Sequence, residues 1–180
     1  MALAARLNPG ETLGDRVMKV DHAGEHGAVC IYRAQLWLAR WRAPEMVGEL
    51  EDFLAHERRH RACFGAELER RGRGRCRSFL MCGLGGFVLG FTTGLAGRQA
   101  IAATTVAIER VVLRHMEEQL AELEASDAAA AEALRRVIGD EQAHHDLSKA
   151  RLPDGALWLK LIQPVVSAST EAVIWLGMRL

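Results

Sequence analysis

The chain has 180 residues, with 23 basic side chains balanced by 23 acidic ones and 49% hydrophobic residues. That length suits one domain with a sizeable core, and zero net charge argues against a nucleic-acid binder, which carries a marked basic excess. Four prolines, one tyrosine and long Ala/Leu/Arg/Glu stretches speak against an all-β sandwich and favour helices. The cysteines, Cys30, Cys63, Cys76 and Cys82, form no C-x-x-C pair, so zinc-ribbon and thioredoxin-type motifs are not expected and a reducing compartment is. Met1 to Asp15 holds one arginine and no apolar run, which does not read as a secretory signal.

The chain reads as an all-α single domain over 1–180. A first helix runs from Leu13 to Trp41 and stops before Ala43-Pro44. Pro44 suits the first turn of the next helix, which continues to about Arg71 and completes a first helix pair, 13–72. Residues 78–97 carry no charge. A second pair, 98–151, comprises a helix from Arg98 to about Ala125 and another capped by Ser126 or Asp127. Pro153-Asp154-Gly155 then breaks the chain before an apolar helix, 156–180.

Two helices place polar groups where the core belongs. Met46, Leu50, Phe53, Leu54, Glu57, His60, Phe64 and Leu68 share one face, and so do Leu134, Val137, Ile138, Glu141, His144 and His145. Glu57-Arg58-Arg59-His60 and Glu141-Gln142-Ala143-His144 are both E-x-x-H, 84 residues apart. Glu25 lies 32 residues before Glu57, and Glu109 lies 32 before Glu141, each in mid-helix. Two antiparallel pairs of this kind build a four-helix bundle with six ligands facing inward. Residues three apart on a helix share a face about 5–6 Å apart, so one Glu and the following His can bind the same ion. Like-charged carboxylates 4 Å apart cost roughly 4 kcal/mol per pair at an effective dielectric near 20, and two divalent cations would relieve that. Oxygen-rich ligation with two histidines suits iron or manganese.

Asp21-His22-Ala23-Gly24-Glu25-His26-Gly27-Ala28 and Ile31-Tyr32-Arg33-Ala34-Gln35, taken with both E-x-x-H motifs, the run Glu141 to Asp146 and the Gly-rich segment, resemble the demethoxyubiquinone hydroxylases. These belong to the ferritin-like di-iron carboxylate proteins, which use this ligand set. The resemblance covers about Gly14 to Leu180. It implies two iron ions, one held by Glu25, Glu57 and His60 and the other by Glu109, Glu141 and His144, with Glu57 and Glu141 bridging. It also implies a monooxygenase that uses O2 to hydroxylate the ring of a polyprenyl demethoxyquinol in ubiquinone biosynthesis. His115 falls where the family has a histidine near the site. Arg16 and Arg179 fall where family members contact NADH, the implied reductant, though both also read as solvated end residues. Glu171 and Trp175 stand where that family has an arginine and a tyrosine. The rival readings are an iron-storing or peroxide-reducing ferritin-like protein, and a non-enzymatic membrane-associated lipid-binding bundle.

Ser78–Gly97 has the length of a minimal spanning helix, interrupted by six glycines that include Gly86, Gly90 and Gly94 at four-residue steps. The preferred reading is a segment that packs on the bundle and dips into one leaflet. A transmembrane span and a buried core helix are the alternatives. Arg70, Arg71, Arg73, Arg75 and Arg77 precede it and would be drawn to anionic lipid. The last helix, apolar on several sides, lines the same lipid surface or an oligomer or partner contact. Gly24 and Gly27 flank Glu25, where they serve either ring access or close helix packing. The implied setting is the cytoplasmic face of a bacterial inner membrane, or else the matrix face of the mitochondrial one. A homo-oligomer or an accessory lipid-binding protein would fit either.

Overall fold

The computed structural model describes residues 5–180, so the start of the N-terminal segment read above lies outside the described residues. Six helices follow in order: α1 (Leu13–Arg42), α2 (Val47–Arg70), α3 (Phe79–Ala96), α4 (Arg98–Leu123), α5 (Ala128–Ala150) and α6 (Leu157–Gly177). A single 3-10 turn, Pro44–Met46, joins α1 to α2, with Pro44 where a missing N–H costs nothing. No strand occurs among the described residues, and the fold is all-α. Thr12 caps α1 by accepting from the Asp15 amide at 3.1 Å, while Asp15 Oδ2 accepts from the Thr12 amide at 3.0 Å. Asp127 caps α5 through the Ala130 amide. Gly97, at φ 93°, turns the chain between α3 and α4 in a conformation that L side chains rarely adopt.

Helices α1, α2, α4 and α5 form the bundle, while α3 packs along α1 and α6 along α4. The core falls into two larger apolar clusters and a small third one of Ala23, Cys76 and Cys82. Of the larger two, one contains Val17, Met18, Phe64, Leu68, Met116 and Leu134, and the other contains Val29, Tyr32, Leu50, Phe53 and Ile101. On α1, α2 and α4 these two clusters are separated by Glu25, by Glu57 with His60, and by Glu109, while Glu141 and His144 of α5 follow that helix's share of the first cluster. A polar layer therefore cuts the apolar core across its middle. His145 departs from the expected stripe. It sits half-buried beside Asp146, accepting or donating at 2.9 Å, because its neighbour His144 takes the inward position.

The glycine stripe of α3 is a backbone-packing surface. A Cβ at Gly86 would collide with Gly27 O, and one at Gly90 with Ile31 O. One at Gly94 would stand 3.1 Å from Gln35 Cα. Close approach of α3 and α1 thus requires glycine at these steps. At the start of α3, Phe79 stacks on His26 with ring centroids 3.9 Å apart. The outer face of α3 carries Leu80, Leu84, Phe87 and Val88 exposed, and α6 exposes Leu157, Leu161, Val165 and Trp175.

The arginine run before α3 differs from its reading as a lipid-facing basic cluster. Arg71 pairs with Asp127 at 2.6 Å, with Glu67 at 2.6 Å and with Asp15 at 3.3 Å, tying together α1, α2 and the start of α5. Arg70 pairs with Glu67 and Arg73 with Asp15, while Arg75 lies over the Phe79 ring. Only Arg75 and Arg77 of the five are both exposed and outside these ion pairs. Glu67 is a local partner on the same helix, but Asp15 and Asp127, which capture Arg71 and Arg73, come from distant stretches of chain.

Glycine substitutions separate packing from propensity. Gly90→Ala is expected to destabilise by about 1–3 kcal/mol, because its methyl meets backbone. Gly139→Ala, on an exposed face of α5 with nothing within 4 Å, is expected to stabilise by about 0.8–1 kcal/mol. Chemical denaturation of both variants checks the opposite signs.

Candidate metal centre

The six sequence-predicted ligands come together. Donor atoms of Glu25, Glu57, His60 and Glu141 lie within 4.8 Å of one another, as do those of Glu57, Glu109, Glu141 and His144. Glu57 and Glu141 are common to both groups. All six side chains are buried, between 1% and 4% exposed. Each E-x-x-H spans one helical turn, which aims its Glu and His into the same layer.

The donor set fits cations. Glu25 Oε2, both carboxylate oxygens of Glu57 and His60 Nδ1 are buried and make no hydrogen bond. His60 Nδ1 nevertheless stands 2.9 Å from Glu141 Oε1, and His144 Nδ1 stands 3.3 Å from Glu57 Oε1. Donor atoms this close with so few hydrogen bonds are arranged around space rather than around one another. Buried polar groups left this way are rare in folded proteins, and an ion satisfies several at once.

Electrostatics point the same way. Burial, reinforced by Glu57 and Glu141, raises the Glu25 carboxyl well above the carboxylate range, and burial with Glu141 and Glu57 does the same to Glu109. Burial opposes charge on Glu141, yet the adjacent His144 and His60 imidazoles hold it ionised. Those carboxylates in turn raise both His144 and His60 against the effect of burial. Without cations the layer neutralises itself with protons.

Outside the layer, each histidine is backed by a residue that sequence reasoning missed. His60 Nε2 lies 3.0 Å from Asp140 Oδ2, and His144 Nε2 lies 3.1 Å from His56 Nδ1. These bonds leave Nδ1 of each ring facing the carboxylates and fix the rings' orientation. His56 and Asp140 immediately precede Glu57 and Glu141, so they obey the same 84-residue offset, a signal present in the sequence. Tyr32, two turns beyond Glu25, donates from its hydroxyl to Glu109 Oε1 at 3.3 Å.

Beside the layer lies a mainly apolar cavity of about 270 Å³. Glu25, Glu57, Glu109 and Glu141 contribute to its wall, together with residues of α1, α3, α4 and α6. The two glycines flanking Glu25 have different roles. Both line the cavity, but Gly24 has nothing within 4 Å of where a Cβ would stand, whereas a Cβ at Gly27 would stand 3.2 Å from Cys82 O on α3. His115 also lines the cavity, outside both ligand groups, with Nε2 2.8 Å from Glu171 Oε2 on α6. Arg114 pairs with the same Glu171.

Arg16 is not the solvated end residue that its position in sequence suggests. It is 2% exposed, bonded to Glu11 at 2.7 Å and to Gly177 O at 3.1 Å. Burial disfavours the Glu11 charge, but hydrogen bonds from Asn8, Lys19 and Arg16 bring its pKa down to about 2. Arg179 is half-buried, its guanidinium 4.1 Å above the Trp175 ring.

The family described as Ubiquinone biosynthesis protein COQ7 matches residues 12–177. The chain belongs to this family. A Dictyostelium discoideum relative of the COQ7 enzymes, named NADPH-dependent 3-demethoxyubiquinone 3-hydroxylase, mitochondrial, is 32% identical over 170 residues, covering 92% of this chain and 76% of its own. The 3-demethoxyubiquinol 3-hydroxylase of Rhodospirillum rubrum is 34% identical over 168 residues, covering 92% and 77%. The human NADPH-dependent 3-demethoxyubiquinone 3-hydroxylase, mitochondrial, is 30% identical over 172 residues, with the same coverage. These relatives thus include a bacterial protein and proteins named as mitochondrial.

A pH titration follows from this layer. In protein stripped of metal by chelation, Glu25 and Glu109 bind protons more tightly folded than unfolded, so ionising them as pH rises lowers stability. His60 and His144, also raised, stabilise fully below the unfolded value of about 6.5 and lose that contribution as pH rises through their folded values. All four act in one direction. The Tm of stripped protein is therefore expected to fall between pH 6 and pH 9 more steeply than that of metal-loaded protein, as read by calorimetric scans.

Proposed function

We propose that this chain is a demethoxyubiquinol hydroxylase that binds two iron ions in the Glu/His layer and takes its substrate from a membrane. The observation that carries this reading is a layer of six buried metal-type ligands bordering an apolar cavity. Glu25, Glu57 and His60 would hold one ion and Glu109, Glu141 and His144 the other, with Glu57 and Glu141 shared. When bound, the ions supply the reduction of O2 and the insertion of one oxygen atom into the quinol ring, with a reduced nicotinamide nucleotide as the electron source. The names of the Dictyostelium and human relatives specify NADPH, and NADH is the alternative.

The protein's own part is to bind, orient and keep water out. Asp140 and His56 hold the two imidazoles with Nδ1 toward the layer. Tyr32 restrains Glu109. The apolar wall accepts a quinol ring and the first units of its tail, and Gly24 leaves room for the ring beside Glu25. His115, fixed by Glu171, supplies a polar group in that wall. Dry surroundings strengthen every electrostatic contact made there.

The exposed apolar faces of α3 and α6 support docking of the chain on lipid, beside the cavity wall that both helices help to build. α3 is long and apolar enough to cross a bilayer by length and composition, but its glycine face is taken by α1, which favours lying in one leaflet. The reading places the chain on the cytoplasmic face of a bacterial inner membrane, with the mitochondrial matrix face as the alternative.

Expression in a host deleted for its own hydroxylase tests the activity. Accumulated demethoxyubiquinone should be converted to ubiquinone, and Glu109→Ala or Glu141→Ala should abolish conversion and lower the two irons per chain measured by metal analysis. Full conversion by either variant contradicts the ligand set. For the membrane surface, Leu84→Glu combined with Leu161→Glu should reduce co-sedimentation with phospholipid vesicles by about tenfold or more at unchanged iron content, since it replaces apolar contact with charge.

A further inference from the structure

Apart from the four glutamates, the polar side chains in the cavity wall are Asp21, His115, Ser169 and Thr170. Ser169 spends its hydroxyl on Val166 O at 2.9 Å, and His115 is anchored to Glu171 through Nε2, with Nδ1 buried and unpartnered. Asp21 is the one acid among these four. Its Oδ1 accepts from Gln119 Nε2 at 3.1 Å, while Oδ2 is buried with no hydrogen-bond partner. It belongs to neither ligand group, and no ion pair to it is formed among the described residues. A carboxyl group enclosed without a cation is costly unless something else satisfies it.

Its position limits what that something is. Asp21 precedes Glu25 by four residues on α1, so it lies on the same face, about 6 Å further along the helix. A ring with its reacting edge at the glutamate layer reaches that far with an oxygen substituent. Resting on the hydroxylase reading above, we propose that Asp21 is a substrate-positioning residue, its carboxyl hydrogen-bonding a ring oxygen of the demethoxyquinol while Gln119 fixes the carboxyl plane. The rest of the nearby wall is apolar, chiefly Val20, Val112, Met116 and Ile174, so this contact sets which way round the ring lies. Burial, partly offset by the Gln119 hydrogen bond, pushes the Asp21 carboxyl up to about 7, so near neutral pH it offers a proton as well as lone pairs. Asp21 and Gln119 come from helices 98 positions apart in the chain, and no spacing rule links them.

The test uses the full-length, iron-loaded chain and a short-tailed, water-soluble demethoxyquinone, titrated without O2 by calorimetry and then assayed in turnover as the quinol. Asp21→Ala should weaken binding about tenfold, the loss of one buried hydrogen bond, and raise KM similarly while kcat moves less. Iron content should stay at two per chain, and the decisive reading is Kd rather than Tm, because the substitution removes an acid but also leaves the buried Gln119 amide without its acceptor. Asp21→Asn should bind within about threefold of the parent, since an amide donates and accepts. A purely structural role predicts a lowered Tm with unchanged Kd, and that result, or parent-like Kd and KM in folded Asp21→Ala, overturns the proposal. Should Asp21→Ala fail to fold, Gln119→Leu stands in: several-fold weaker binding supports the proposal and parent-like binding overturns it. A parent chain that neither binds nor hydroxylates the probe overturns the hydroxylase reading itself, whereas a parent that does both beside an equally competent alanine variant overturns this inference alone.

Discussion

Four carboxylic acids and two imidazoles enclosed between two apolar clusters impose the condition that the rest of this molecule meets. Water would satisfy these groups outside the bundle; inside it, only one another, protons or cations can. The fold answers by bringing one acid or acid–histidine pair from each of four helices to the same level, so that no helix carries the whole burden of charge. Two carboxyls then favour protonation, and two imidazoles are drawn towards it. A layer in that state is ready to exchange protons for metal, because ligands must lose theirs to bind.

Holding the layer level requires rigid helix ends. Arg71 supplies much of this at one end of the bundle, since its guanidinium joins Asp15 of α1, Glu67 of α2 and the capping Asp127 of α5. Gly14 belongs to the same junction: a Cβ there would collide with the Asp127 carboxylate. Arg16, Glu11 and Gly177 O form a second buried tie, fastening the end of α6 to the start of α1. Arginine suits both places because its planar fork satisfies several acceptors at once and stays charged when half-buried. These ties involve residues that sequence alone marks as surface cations.

Helices α3 and α6 carry both exposed apolar surface and part of the cavity wall. Gly86, Gly90 and Gly94 press α3 against α1, which turns its larger side chains outward and into the cavity wall. Helix α6, with only Val166 and Gly177 buried, covers α4 lightly and contributes Thr170 and Val173 to the same wall. A mainly apolar cavity thus lies between these helices and the polar layer.

Local periodicity and an internal repeat sufficed for the helices, their boundaries to within a few residues, and the inward position of the four glutamates and two histidines, because a residue's face on a helix depends only on its spacing from its neighbours. The offset that relates Glu57 to Glu141 also relates His56 to Asp140, so even the groups behind the histidines were encoded locally. What spacing does not encode is which partner waits across an interface. Burial of Arg16 and capture of Arg71 by acids 56 residues away were decided by packing. So were the division of labour between Gly24 and Gly27 and the meeting of Asp21 with Gln119. Each depends on how separate helices approach in space, and that is fixed only when the whole bundle closes.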